Sequence, residues 1–170
     1  MDIWQGIRSK HTVRQFTDQP IDDEAARRIL DAGRRAPSGY NSQPWYFIAV
    51  RDRAMLQELA TIGRSTKHVA GAAMCVVMLS PDRETRFFQN MFDIGQAATY
   101  MMLAAHEIGI GSAQGNVYEP DRARDLLGFP ADWKPYLLIS FGYPDHDAVK
   151  PGKGKGGRRP FDDVVRWEHF

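Results

Sequence analysis

The run Ala72-Ala73-Met74-Cys75-Val76-Val77-Met78-Leu79 is continuously apolar. Successive strand residues point to opposite faces, so a strand of this composition must be covered on both. Residues 72–79 therefore read as a central strand, with helical layers above and below it. Tyr46-Phe47-Ile48-Ala49-Val50 and Tyr136-Leu137-Leu138-Ile139-Ser140-Phe141 read as its companions. Segment 110–115 is a short strand or a loop. Strands separated by helices then make an α/β or α+β sandwich of three layers.

The helices announce themselves by their ends. Asp2 caps a short helix expected to bury Ile3 and Ile7. Asp22 starts another, with Ile21 as a staple and Ala25, Ile29, Ala32 and Ala36 on one face before Pro37. Asp52 caps a third that uses Leu56, Leu59 and Ala60, and Pro120 opens one that buries Leu126 and Leu127 and ends at Gly128. The longest helix spans about 84–108. Phe87, Met91, Ile94, Ala98, Met101, Ala105 and Ile108 recur in steps of four and three, with Phe88, Gly95 and Met102 as a second stripe. A helix apolar on so much of its surface is either internal or shared with a second subunit. Beyond 146 the chain turns glycine- and lysine-rich before Phe161, Val164, Val165 and Trp167. The expected organisation is thus one domain, 1–170, with 146–170 as a C-terminal arm that docks elsewhere, a strand added to a neighbour's sheet being one expectation.

Net charge is +1, so no bulk field draws the chain to nucleic acid or membrane. Lys150, Lys153, Lys155, Arg158 and Arg159 make the arm basic, but no aromatic residues interleave them, and no nucleic-acid partner is expected. The single cysteine, Cys75, excludes an internal disulfide. The start Met1-Asp2-Ile3-Trp4 lacks a basic signal-peptide opening, and no apolar run reaches the ~18 residues of a membrane span, so a cytoplasmic location is expected. The five histidines show no metal-ligand spacing with cysteine or carboxylate, apart from Asp145-His146-Asp147, which reads as a solvated turn. Gly109-x-Gly111-x-x-x-Gly115 follows a helix, whereas a dinucleotide fingerprint must follow a strand and open a helix.

Two segments carry chemistry. Lys10-His11-Thr12-Val13-Arg14 supplies two cations, an imidazole and a hydroxyl, the donors a phosphate ester wants. Pro37-Ser38-Gly39-Tyr40-Asn41-Ser42-Gln43-Pro44-Trp45 supplies donors and acceptors closed by an aromatic. Alone, the first is also a solvated basic stretch and the second a plain turn. Together they suit a phosphorylated planar cofactor such as a flavin.

These residues also carry a resemblance. Lys10-His11-Thr12-Val13-Arg14-Gln15-Phe16 is similar to the Arg-Arg-Ser-x-Arg-x-Phe opening of the nitroreductase family of FMN flavoproteins, with Thr12 where serine is usual and His11 where arginine is common. The 37–45 loop closely resembles that family's Pro-Ser-x-x-Asn-x-Gln-Pro-Trp. The small-residue helix before Gly109-Ile110-Gly111 is similar to its central dimer helix. Arg158-Arg159-Pro160-Phe161-Asp162-Asp163-Val164-Val165 resembles its Arg-x-Pro-Leu-x-x-Val ending.

The resemblance implies an α+β sandwich with a mostly antiparallel sheet and a C-terminal arm exchanged in an obligate homodimer. It also implies one FMN at each of two intersubunit sites. By position, Lys10, His11, Thr12 and Arg14 would meet phosphate, ribityl chain and the pyrimidine edge, and Arg158 the phosphate. Pro37, Ser38 and Gly39 would come from the partner, with Asn41 in the same loop. Gln114 and Gly115 would lie against the ring near N5, and Lys67 or Arg64 near the flavin. Tyr40 and Phe88 are candidates to line the substrate face, because only 81–86 fills the place where larger members carry extra helices. The implied activity is NAD(P)H oxidation, by NADH or NADPH, with ping-pong hydride transfer through N5 to a nitroaromatic, quinone or similar small acceptor. No side chain acts as nucleophile or metal ligand. Other flavin chemistry on the scaffold (dehydrogenation, dehalogenation, flavin breakdown) and non-catalytic flavin binding are the alternatives.

Overall fold

The structure, a computed structural model, describes residues 1–147 and 157–170. Lys150, Lys153 and Lys155 of the basic arm lie outside the described residues. Strand β2 (Met74–Pro81) is central, as its apolar run requires. It pairs antiparallel with β1 (Tyr46–Val50) on one side and β4 (Trp133–Gly142) on the other. Segment 110–115 proves to be strand: β3 (Gly111–Asn116) pairs antiparallel with the far side of β4, giving the order β1-β2-β4-β3.

The alternation along β2 builds two cores. Met74, Val76 and Met78 enter one cluster with Ile29 of α2 (Asp23–Arg34) and Ile94, Ala98, Met101 and Ala105 of α4 (Phe87–Glu107). Cys75, Val77 and Leu79 enter the other, with Leu56 and Leu59 of α3 (Arg53–Leu59) and Ala123 of α5 (Pro120–Leu127). The result is an α+β sandwich of three layers. Burial of Cys75 raises its thiol pKa far above the usual range, so it stays protonated and inert.

The helix ends follow the sequence. The carboxylates of Asp2, Asp22 and Asp52 accept from the N–H groups of Gln5, Ala25 and Met55. Gly128 stops α5 in the left-handed region, at φ 70°.

One expectation about burial needs correcting, and one of two alternatives for the long helix falls. Helix α1 (Ile3–Ser9) does not bury Ile3 and Ile7, which are 83% and 53% exposed, beside Trp4 at 67%. The helix lies at the margin of the chain against α4, with Gly6 its one buried residue, so its apolar side has nothing beneath it among the described residues. Helix α4 is covered on one face only: Phe88 (87%) and Phe92 (70%) stand bare and Gly95 is exposed, whereas Met102 of the same stripe is buried. The described tail is similar, with α6 (Phe161–Val164) exposing Phe161 and Val164 and Trp167 exposed beyond it.

Candidate functional site

The chain leaves α1 at Lys10, whose N–H caps the helix on the Gly6 carbonyl, and runs beside the start of β3. Thr12 bridges Ser112, and the Val13 N–H donates to the Ser112 carbonyl at 2.9 Å. Val13 is buried and occupies the space a side chain on Gly111 would need: a Cβ there would come within 2.7 Å of it. Glycine at 111 is therefore what lets the two backbones approach. With Val13 turned inward, Thr12 and Arg14 on either side are exposed.

Strand β3 is the sheet's last strand, and its outer edge is the centre of the site. Peptide groups alternate in direction, so Ser112, Gln114 and Asn116 all turn away from β4. The Ser112 carbonyl accepts from Val13, and the Asn116 N–H donates to Ser65 Oγ at 3.3 Å. The Gln114 carbonyl accepts from His68 Nε2 at 3.3 Å. Among the described residues, the Gln114 N–H between them has no partner. Next to it Gly115 is buried, and a Cβ there would sit 3.0 Å from Thr66 Cγ2 and 3.1 Å from the Ser65 carbonyl, a close fit that glycine permits.

Lys67 opens the 3-10 turn Lys67–Gly71 that carries His68, and it is exposed. Arg64 lies over the Tyr118 ring at 5.7 Å. The fold thus gathers Lys10, His11, Thr12, Arg14, Lys67, Gln114 and Gly115 along one strand edge.

At the Lys10 end a cavity of about 210 Å³ is lined by Lys10, His11, His106, His146 and the backbone of Gly111 and Ser112. His106 Nε2 meets Ser9 Oγ at 2.8 Å, and His11 Nδ1 donates to the Ser9 carbonyl at 3.1 Å. Burial holds the Lys10 ammonium below its usual pKa. Burial lowers His106 as well, helped by the nearby His11 and Lys10. A small pocket with these donors suits an anion such as a phosphate group.

The second motif lies elsewhere. Residues 37–45 precede β1, at the opposite edge of the sheet from β3, some 14 Å away by three strand spacings. The loop is pinned to α4: the Gly39 N–H donates to the Asp93 carboxylate at 3.1 Å, and Asp93 is 2% exposed. Inside the loop, the Gln43 N–H donates to Ser38 Oγ at 3.0 Å. Tyr40, Asn41 and Gln43 all have positive φ (55°, 54° and 47°). Asparagine tolerates this, but for tyrosine and glutamine it costs about 1–3 kcal/mol each. Tyr40 is 94% exposed at the tip. Within one chain, then, Pro37, Ser38, Gly39, Asn41, Tyr40 and Phe88 are not brought to the β3 edge. Arg158 is exposed, and no hydrogen bond or ion pair joins it to residues 10–14 among the described residues.

Sequence reasoning missed His68, His106, His146 and Asp93. The histidines failed a search for metal spacings, yet three elements far apart in the chain bring them to the site. Asp93 is an acidic residue on an otherwise apolar helix face, a signal that was available.

The nitroreductase family profile matches residues 7–66 and 63–143. The chain is 33% identical over 144 residues to a protein of Archaeoglobus fulgidus named for NADH dehydrogenase or NAD(P)H nitroreductase activity, an alignment covering 81% of this chain and 83% of the relative. Its fold matches a crystal structure from Bacteroides thetaiotaomicron carrying the same name, with a TM-score of 0.85, 25% identity and coverage of 98% and 97%. It also matches the NADPH:FMN oxidoreductase of Vibrio harveyi complexed with NAD+, with a TM-score of 0.85, 25% identity and coverage of 98% of this chain and 77% of that one.

Proposed function

The chain belongs to the nitroreductase family, and from that premise we propose that it is an FMN-dependent NAD(P)H oxidoreductase. It passes reducing equivalents to nitroaromatic, quinone or similar small acceptors by ping-pong turnover. The observation that carries this reading is the bare Gln114 N–H on the outer edge of β3, beside the exposed Arg14, with a cavity of cationic and imidazole donors at the Lys10 end of the strand. A planar ring with one anionic end needs that sequence of partners. Solved relatives of this fold include one whose name specifies FMN and NADPH.

FMN held there would supply a two-electron carrier between a nicotinamide and the acceptor. The chain's own residues bind and orient. Lys10, His11 and Thr12 hold the phosphate end, with Arg158 reaching it from the tail. Arg14 sets a fixed positive charge at the pyrimidine edge, where the reduced ring is negative, and so favours reduction. Lys67 adds a second charge on that side. The backbone at Gln114 and Gly115 meets the ring edge.

The enzyme is a homodimer. A stripe of bare apolar residues on α1 and α4 (Ile3, Trp4, Ile7, Phe88 and Phe92) has no covering among the described residues. A second copy covers it and brings Pro37, Ser38, Gly39 and Asn41 across to the β3 edge, with Tyr40 and Phe88 over the substrate face. The uncovered edge of β1 and the cavity of about 630 Å³ beside it, lined by Arg27, Leu30, Trp45 and Phe47, receive the partner's C-terminal arm, residues 146–170. On this reading 1–170 is one FMN-binding domain. No helix among the described residues is long and apolar enough to cross a membrane, and we place the enzyme in the cytoplasm.

The test is spectroscopic. The purified protein carries a flavin spectrum that bleaches anaerobically with NADH or NADPH and returns on adding a quinone or nitroaromatic, with parallel initial-rate lines. A protein that takes up no FMN, or whose flavin neither donor reduces, refutes the proposal.

A further inference from the structure

His68 is the buried titratable side chain closest to the proposed ring site, and no step above uses it. It is 8% exposed and is held from both ends of its ring. Nε2 faces the Gln114 carbonyl, so it carries the proton and donates. Nδ1 meets the hydroxyl of Ser140, a fully buried residue of β4, at 2.6 Å, and that hydroxyl also lies 3.4 Å from the Ala113 carbonyl. The ring therefore ties the 3-10 turn bearing Lys67 to β4 and to the outer edge of β3. It does so at the residue whose own N–H is left free.

These neighbours require a polar ring. A carbonyl on one side needs a donor, and a hydroxyl on the other takes either role; an aliphatic side chain satisfies neither. A charged imidazole would have donors at both nitrogens and would face the Arg14 guanidinium. Burial and Arg14 both act against protonation, while the Gln114 and Ser65 carbonyls act for it.

We propose that His68 is a positioning residue of the cofactor site, holding the Gln114 peptide so that its free N–H is presented to the ring beside Arg14. The inference rests on the FMN reading above. It assigns no contact between His68 and the cofactor; the effect passes through one peptide unit. Because that peptide meets the ring and not the phosphate, loss of His68 should weaken FMN and riboflavin by the same factor.

The experiment compares the parent with His68→Leu, His68→Gln and Ser140→Ala, each prepared free of cofactor and titrated with FMN and with riboflavin by fluorescence. Thermal melts of the cofactor-free proteins report folding. Leucine should weaken both ligands about tenfold, the loss of one hydrogen bond's orientation. Glutamine, which offers a donor and an acceptor on one planar group, should restore most of that affinity. Ser140→Ala should weaken both ligands in the same direction as leucine, and its effect should not add to that of leucine in the double variant. The inference is overturned if folded His68→Leu binds both ligands like the parent, or if only FMN is weakened, or if glutamine is no better than leucine. A parent that binds neither ligand overturns the FMN reading itself, which separates the two failures.

Discussion

Trp4→Ala offers the sharpest measure of whether two copies of this chain complete the site. Trp4 stands on α1 with 67% of its surface bare, flanked by Ile3 and Ile7. An aromatic side chain buries about 150–250 Å² when fully covered, so roughly 130 Å² of Trp4 waits for a partner. At about 25 cal/mol per Å² that is about 3 kcal/mol for each copy. A two-fold interface uses the same patch twice, which doubles the figure to about 6 kcal/mol for the dimer. If half of that is recovered on repacking, the dissociation constant still rises about a hundredfold or more. Sedimentation velocity over a dilution series reads this directly. FMN retention should fall at the same protein concentrations at which the dimer dissociates, because the 37–45 loop of one copy would leave the β3 edge of the other. A Trp4→Ala protein with parental self-association, or a parent that stays monomeric at micromolar concentration, refutes the reasoning.

Other outcomes are equally specific. On the proposed FMN reading, Arg14→Ala would remove a charge-assisted hydrogen bond of about 1.5–3 kcal/mol, and FMN titration should show affinity ten- to a hundredfold weaker. Asp93→Ala strips the buried acceptor from the Gly39 N–H, and urea unfolding should show a loss of about 1–3 kcal/mol, since the donor is left unsatisfied and three left-handed residues lose their anchor. The cofactor-free protein should lose stability as pH falls below about 6.5. His68, with its folded pKa below that unfolded value, binds fewer protons folded than unfolded in the window between the two, so stability is complete above it and declines through it. His68→Gln should flatten that part of a stability-against-pH curve, and an unchanged slope would count against the assignment.

Much of the fold was legible because it depends on local pattern. An apolar run with no polar face could only be a central strand, and its alternating residues do feed two cores. Aspartates before helical stretches cap helices wherever they occur, and β1 falls on the residues its pattern marked. That residues 10–14 form an exposed run of donors was legible as composition, and Val13 between Thr12 and Arg14 shows why: one inward anchor leaves its neighbours facing out.

What the sequence could not express is adjacency between distant segments. His106 from the end of α4, His146 after β4 and Lys10 after α1 meet at one cavity only because β3 turns its outer edge to the 10–14 segment. The free Gln114 N–H is likewise a property of strand order; the same residue inside a sheet would have had a partner. Amphipathic spacing predicted that Ile3, Ile7 and Phe88 need covering, but a period names a face and never what lies against it. Among the described residues that face stays bare, and the two motifs that looked like one site sit at opposite sheet edges. Hydrophobic pattern is read along the chain, whereas a binding site is assembled across it, and that difference set the limit.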